Sequence, residues 1–160
     1  MIVIDLLSPT DVVAGLRASS KAGLIAGLAA RAAAALDLDG GTIRTALEKR
    51  ETLGSTGIGG GIALPHARLD EVARPFALLA RLRGPLDFDA IDEQPIDLVV
   101  LLLLPTNPAG NQLDALATIA RRLRDPSVAE AMRKSRDAAG VYAAMCGTTP
   151  SRSPLNCITV

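Results

Sequence analysis

A chain of 160 residues with 49% hydrophobic and 21% charged side chains has the size and make-up of one globular domain, too apolar for a disordered polymer. Lys plus Arg and Asp plus Glu stand at 17 each, a balance that argues against a broad basic surface, so no nucleic-acid partner is expected. The longest apolar run, Leu98 to Leu104, falls far short of the roughly 20 residues that cross a bilayer, so no membrane insertion is expected.

The opening, MIVIDLLSPTD, has no basic start and meets Asp5 at once, unlike a secretory leader. Cys146 and Cys157 have no metal-like spacing and suggest no disulfide framework. A cytoplasmic protein is expected. Val12 to Arg17 reads as a first strand. Ser20 to Leu38 then reads as a helix, with Leu24, Leu28, Ala32 and Leu36 on one face and Ser19 or Ser20 as its cap. Asp39-Gly40-Gly41 breaks it.

A second helix is predicted from Thr42 to Leu53 with an apolar stripe at Ile43, Ala46 and Leu47. The next position on that stripe is Arg50. A surface arginine is the ordinary reading, but a Gly-rich segment begins within four residues and favours a functional one.

Pro75 to Gly84 and Pro95 to Pro105 read as strands, the second so apolar that both its faces must be covered. The acidic connection LDFDAIDEQ between them is turn-rich, with a short strand predicted at Leu86 to Phe88. A helix follows from Asn111 to Arg124 with core positions Leu113, Leu116, Ala120 and Leu123. Two shorter ones are placed at Ser127–Lys134 and Asp137–Met145. Residues 147–160 carry breakers and no period, and read as a loose C-terminal tail to a domain of residues 1–146. Helices before and after a mostly buried sheet give a single-domain layered α/β fold.

The segment GSTGIGGGIALPHAR, residues 54–68, holds five glycines, two hydroxyls and the only histidine of the chain. A Walker loop needs Lys-Ser or Lys-Thr after its last glycine, and a dinucleotide fingerprint follows a strand and opens a helix. A nucleophile elbow needs Gly-x-Ser-x-Gly. None of these fits. What remains is a group of backbone N–H donors with Ser55 and Thr56, able to form an anion-binding concavity beside His66, with Arg50 close in sequence. A Gly-rich turn with a structural histidine is the plainer alternative. No second histidine or nearby cysteine offers His66 a metal, and nothing orients Ser55 over Thr56 as a nucleophile.

The run RETLGSTGIGGGIALPHAR, residues 50–68, followed by FDAIDEQPIDLVVLLLLP, residues 88–105, resembles the enzyme IIA domains of the bacterial phosphoenolpyruvate-dependent phosphotransferase system. The type is that of mannitol and fructose, in its nitrogen-regulatory branch, and the likeness spans roughly residues 5–146. It implies one α/β domain with a mixed sheet between helices. It also implies that His66 accepts a phosphoryl group on Nε2 while Nδ1–H bonds a backbone carbonyl, with no metal or other cofactor. By the same likeness Arg50 holds the phosphoryl oxygens, and Ser55 and Thr56 complete the cradle with neighbouring N–H groups. Gln112 stands where family members commonly carry a second histidine. On the inner side of its helix with Leu116, Ile119 and Leu123, it is expected to donate a hydrogen bond to phosphate.

The implied donor is an HPr-like nitrogen phosphocarrier protein, and the implied targets are regulatory partners such as potassium transporters or sensor kinases. The alternatives are a sugar-transport IIA component that passes the group to a IIB domain, and a non-phosphorylated regulatory binding module. Leu53, Ile58, Ile62 and Leu64 are candidates for an apolar docking rim. Asp89 and Asp92 either approach that rim or only cap turns.

Overall fold

Leu98 to Leu104 forms most of the central strand of the sheet, and every residue of that run is buried. The computed structural model describes residues 2–106 and 112–147. After a 3₁₀ turn at Val3–Asp5 the elements are β1 (Leu7–Leu16), α1 (Lys21–Leu36), α2 (Gly40–Glu51), β2 (Gly57–Gly59), β3 (Ile62–Ala63), β4 (His66–Leu69), β5 (Phe76–Leu86), β6 (Ile96–Pro105), α3 (Gln112–Leu123), α4 (Pro126–Lys134) and α5 (Ala138–Cys146). None of these helices is long and apolar enough to cross a membrane.

The sheet is mixed, in the order β1-β5-β6-β3-β2, and β4 pairs with β6 as well. Strands β3 and β4 both run parallel to β6, with Ile62 opposite Leu98 and His66 opposite Leu102. Strand β5 pairs antiparallel to β6 on its other side, and β1 runs parallel to β5. Side chains of β5 and β6 alternate between two cores, as the period of two requires. Leu78, Ala80, Val99, Leu101 and Leu103 pack under α1 and α2. Ala77, Leu79, Leu98, Val100, Leu102 and Leu104 pack under α3, α4 and α5. Each leucine so buried contributes about 2 kcal/mol relative to exposure. The layered α/β fold with a mixed sheet between helices is the one expected.

Local chemistry sets the helix boundaries. The Ser20 hydroxyl accepts from Gly23 N–H at 3.0 Å, and Asp39 accepts from the Thr42 amide and hydroxyl. The Asp39 cap starts α2 at Gly40, two residues before the expected Thr42. That helix ends at Glu51 rather than Leu53. Strand β1 begins at Leu7, not Val12, because the exposed Ser8-Pro9-Thr10 hides its apolar alternation and its register against β5 shifts between Leu7 and Val12. The short strand expected at Leu86–Phe88 does not form on its own: Leu86 ends β5, opposite Ile96, while Phe88 is a fully buried residue of the connection. Leu113 and the tail of residues 148–160 lie outside the described side chains and residues.

The connection after β5 is packed against β2. A Cβ built on Gly57 would lie 2.7 Å from the Ala90 Cβ and 2.8 Å from its Cα. Gly57→Ala therefore has to push the Phe88–Asp92 connection outward, at a cost of about 1–3 kcal/mol. A lowered denaturant midpoint is the expected result, and an unchanged one would show that the connection yields freely.

Candidate functional site

His66 opens β4, so its backbone is fixed by the central strand: the Pro65 carbonyl accepts from Leu102 N–H at 3.0 Å. Its ring is half-buried, with Nδ1 2.8 Å from the Leu64 carbonyl oxygen. A carbonyl only accepts, so Nδ1 carries the proton and Nε2 keeps its lone pair. Nε2 has no hydrogen-bond partner among the described residues. Burial pushes the imidazole pKa below its ordinary value. The Leu64 bond opposes that shift, Arg50 and Arg68 reinforce it, and Glu51 opposes it.

The ring lines a cavity of about 390 Å³ together with Lys49, Arg50 and Arg68. Leu53, Leu104 and Leu116 supply apolar wall. No carboxylate lines this cavity among the described residues, so any anion entering it meets three cations. Arg50 reaches it from the last turn of α2, below the buried Ile43 and Leu47. One arm of its guanidinium donates to the Gly54 carbonyl at 3.1 Å, which leaves the rest of the fork for an oxygen ligand.

Arg50 and His66 are thus brought together, as the stripe on α2 suggested. Ser55 and Thr56 are not on the cavity wall. The Ser55 hydroxyl donates to the Phe88 carbonyl at 2.9 Å and accepts from Gly57 N–H. Thr56 is buried, and its hydroxyl and N–H both donate to the Glu51 carboxylate. Both hydroxyl protons are committed to holding the segment in place. The side chain of Gln112 lies outside those described; Leu116, one turn further along α3, lines the cavity.

The glycines divide by role. Gly59, Gly60 and Gly61 all have positive φ and turn β2 into β3, a conformation that side chains resist. Asp92 accepts from Gly60 N–H at 3.0 Å, and Arg133 donates to the Gly60 carbonyl while pairing with Asp97. For these three the plainer reading holds: they build a hairpin, not an anion cup. Of the four candidate rim residues, Ile62 and Leu64 are core and Ile58 packs against it, whereas Leu53 is 82% exposed at the cavity mouth. Asp92 caps turns through Gly60 and Gln94 N–H groups, and those bonds hold its carboxyl below the usual range. Asp89 sits 3.8 Å from Lys21 and is likewise off the cavity wall.

Sequence reasoning missed Lys49, Arg68 and Glu51. Arg68 shares a face of β4 with His66, a relation visible only once those residues are known to form a strand.

Residues 5–146 match the family model of the phosphoenolpyruvate-dependent sugar phosphotransferase system, EIIA 2. The chain belongs to that family. Among curated relatives of this EIIA 2 domain, the nitrogen regulatory protein of Bradyrhizobium diazoefficiens is 41% identical over 145 residues, covering 91% of this chain and 95% of its own. The nitrogen regulatory protein of Escherichia coli K12 is 38% identical over 112 residues, 69% of each chain. In solved structures, the nitrogen regulatory protein IIA-Ntr of Neisseria meningitidis superposes with a TM-score of 0.83 at 30% identity, covering 89% of this chain and 98% of that one. IIA mannitol of Escherichia coli, at 19% identity and a TM-score of 0.74 over 87% and 98% of the two chains, shares the fold. The EIIA 2 domain described here is therefore a phosphocarrier and regulatory component of the phosphotransferase system.

Proposed function

We propose that the phosphoryl acceptor is Nε2 of His66, charged by an HPr-like nitrogen phosphocarrier protein in the cytoplasm, and that the phosphorylated and free states then act on regulatory targets such as potassium transporters or sensor kinases. The observation that carries this reading is the pairing of a ring nitrogen that has no hydrogen-bond partner among the described residues with three cations on one cavity wall. Nitrogen regulatory relatives support the regulatory role over sugar transport.

In the transfer the Nε2 lone pair forms a bond to phosphorus as the bond from phosphorus to the carrier's imidazole nitrogen breaks, and that nitrogen leaves with the electron pair. The proton on Nδ1 stays, held by the Leu64 carbonyl, and shares the positive charge that the ring acquires. A loose transition state spreads charge over three equatorial oxygens. Arg50, with Arg68 and Lys49 near it, supplies the positive field for them. Ser55 and Thr56 serve the site by bracing the segment that joins α2 to β2, and Gln112 is the further residue proposed to donate a hydrogen bond to the phosphoryl group. Phosphorylation adds up to about two negative charges at the cavity, enough to change which surface a partner recognises. Incubation with phosphoenolpyruvate, enzyme I and the carrier, read by intact mass, tests the reading: one phosphoryl group is expected, and none would refute it.

The pH dependence has a definite sign. With its pKa held below the ordinary value, the ring stays neutral and nucleophilic as pH falls through about 6.5. NMR titration, unambiguous for a lone histidine, is expected to give a midpoint below that of a free imidazole. In the same window the unfolded chain binds more protons than the native one, so His66 makes stability fall as pH drops from about 6.5 toward its native midpoint. A midpoint at or above the ordinary value would contradict the burial described.

A further inference from the structure

We propose that Glu51 is a positioning residue for transfer at His66, acting through Thr56 and the Leu64 carbonyl without touching the phosphoryl group. The inference rests on His66 being the acceptor. The Glu51 side chain is only 7% exposed, at the C-terminal end of α2, where a negative charge opposes the helix dipole. Lys21 lies 2.9 Å from it, and Thr56 donates to it from both N–H and hydroxyl. Buried ion pairs are poor devices for stability, since apolar replacements often hold a fold as well. The bonds of this one lead to the site.

Thr56 passes the constraint on. Its carbonyl accepts from Leu64 N–H at 2.9 Å, and the Leu64 carbonyl accepts from His66 Nδ1 at 2.8 Å. Glu51 is also the chain neighbour of Arg50, whose guanidinium holds the Gly54 carbonyl. The far side is closed as well: Lys21 stands 4.6 Å from the centre of the Phe88 ring, and the Phe88 carbonyl accepts from Ser55. One carboxylate therefore ties the helix end bearing Arg50, the segment from Gly54 to Gly57, and the carbonyl that sets the His66 tautomer into one unit.

Glu51 also bears on His66 through charge. Its negative field favours the imidazolium, against Arg50 of the same helix and Arg68 of β4, with Lys49 on the cavity wall and Lys21 behind the carboxylate. Removing that field shifts the His66 titration to lower pH, and loosening the Leu64 carbonyl lowers the share of the Nδ1–H tautomer.

The test is Glu51→Gln in the full chain, with ¹⁵N NMR of the single histidine and steady-state transfer from the phosphorylated carrier. Expected are a lower titration midpoint, a smaller Nδ1–H fraction and a kcat reduced about tenfold or more, since small misplacements at a reacting centre cost that much. The KM for the carrier should change less than about twofold, because the Glu51 side chain is only 7% exposed and is absent from the cavity wall. Thr56→Val, which keeps the volume and removes the hydroxyl, should move the same readouts in the same direction, with Thr56→Ser restoring them. It also carries the test if Glu51→Gln does not fold. Wild-type values of midpoint, tautomer and kcat in both variants would overturn the proposal. Absence of phosphoryl uptake by wild type would overturn instead the assignment of His66, and it is told apart because the titration needs no phosphoryl donor.

Discussion

His66→Ala is expected to unfold cooperatively near the wild-type midpoint yet to take up no phosphoryl group from phosphoenolpyruvate, enzyme I and the carrier. Two observations give the first half. The ring is half-buried rather than core, and its one hydrogen bond among the described residues is to the Leu64 carbonyl, so losing it costs about 1 kcal/mol. The strand itself is kept by backbone bonds to β6, which alanine preserves. The second half follows from chemistry: the chain has no other histidine to take over the role. Intact mass decides it. A phosphoryl group retained on the alanine variant would move the acceptor elsewhere.

Arg50→Ala is expected to slow transfer by about tenfold or more while leaving the fold intact, because it removes a charge-assisted contact that strengthens as charge spreads over the phosphoryl oxygens. Lysine at this position keeps the charge and loses the planar fork, so Arg50→Lys should recover only part of the rate. A second reading comes without any donor. Arg50 lowers the His66 pKa, so its removal should raise the titration midpoint of the ring. Quench-flow transfer rates and the NMR titration check the two effects separately. A rate equal to wild type would take Arg50 out of the reaction, whatever the titration shows.

Both predictions treat the cavity as a place where position and charge matter more than covalent variety, which is the demand of phosphoryl transfer. The resting state is suited as well. Without a bound anion, burial together with Arg50 and Arg68 disfavours a proton on the ring and keeps Nε2 available. On the proposed assignment of His66, the cations that line the cavity beside it would then offset the charge of an attached phosphoryl group. Leu53, 82% exposed, adds apolar surface to the wall of this cavity.

How much of this could be read before folding differs from element to element. The helix from Lys21 was legible because its apolar spacing and Ser20 cap are local properties, expressed within a few residues of chain. The uninterrupted run of β6 was legible for the same reason, since only a strand covered on both faces hides such a sequence. Strand β1 was read short because Ser8, Pro9 and Thr10 break the alternation on a stretch that is largely exposed. Strand β4 was not foreseen at all. Four residues beginning with a histidine carry too little periodicity, and it is the neighbouring edge of β6 that makes them a strand.

Residue types alone carry the layered fold, and through the stripe of Ile43, Ala46 and Leu47 they bring Arg50 to the side of the helix facing His66. Each rests on short-range period and volume, which amino-acid types encode directly. Packing in three dimensions is what makes Gly59 to Gly61 a hairpin, bonds Ser55 to a carbonyl 33 positions away, and lets the Glu51 carboxylate, 7% exposed, join Lys21 to Thr56. A hydroxyl or a carboxylate has several possible partners along a chain, and burial at one place in three dimensions selects among them because an unpaired polar group there is costly.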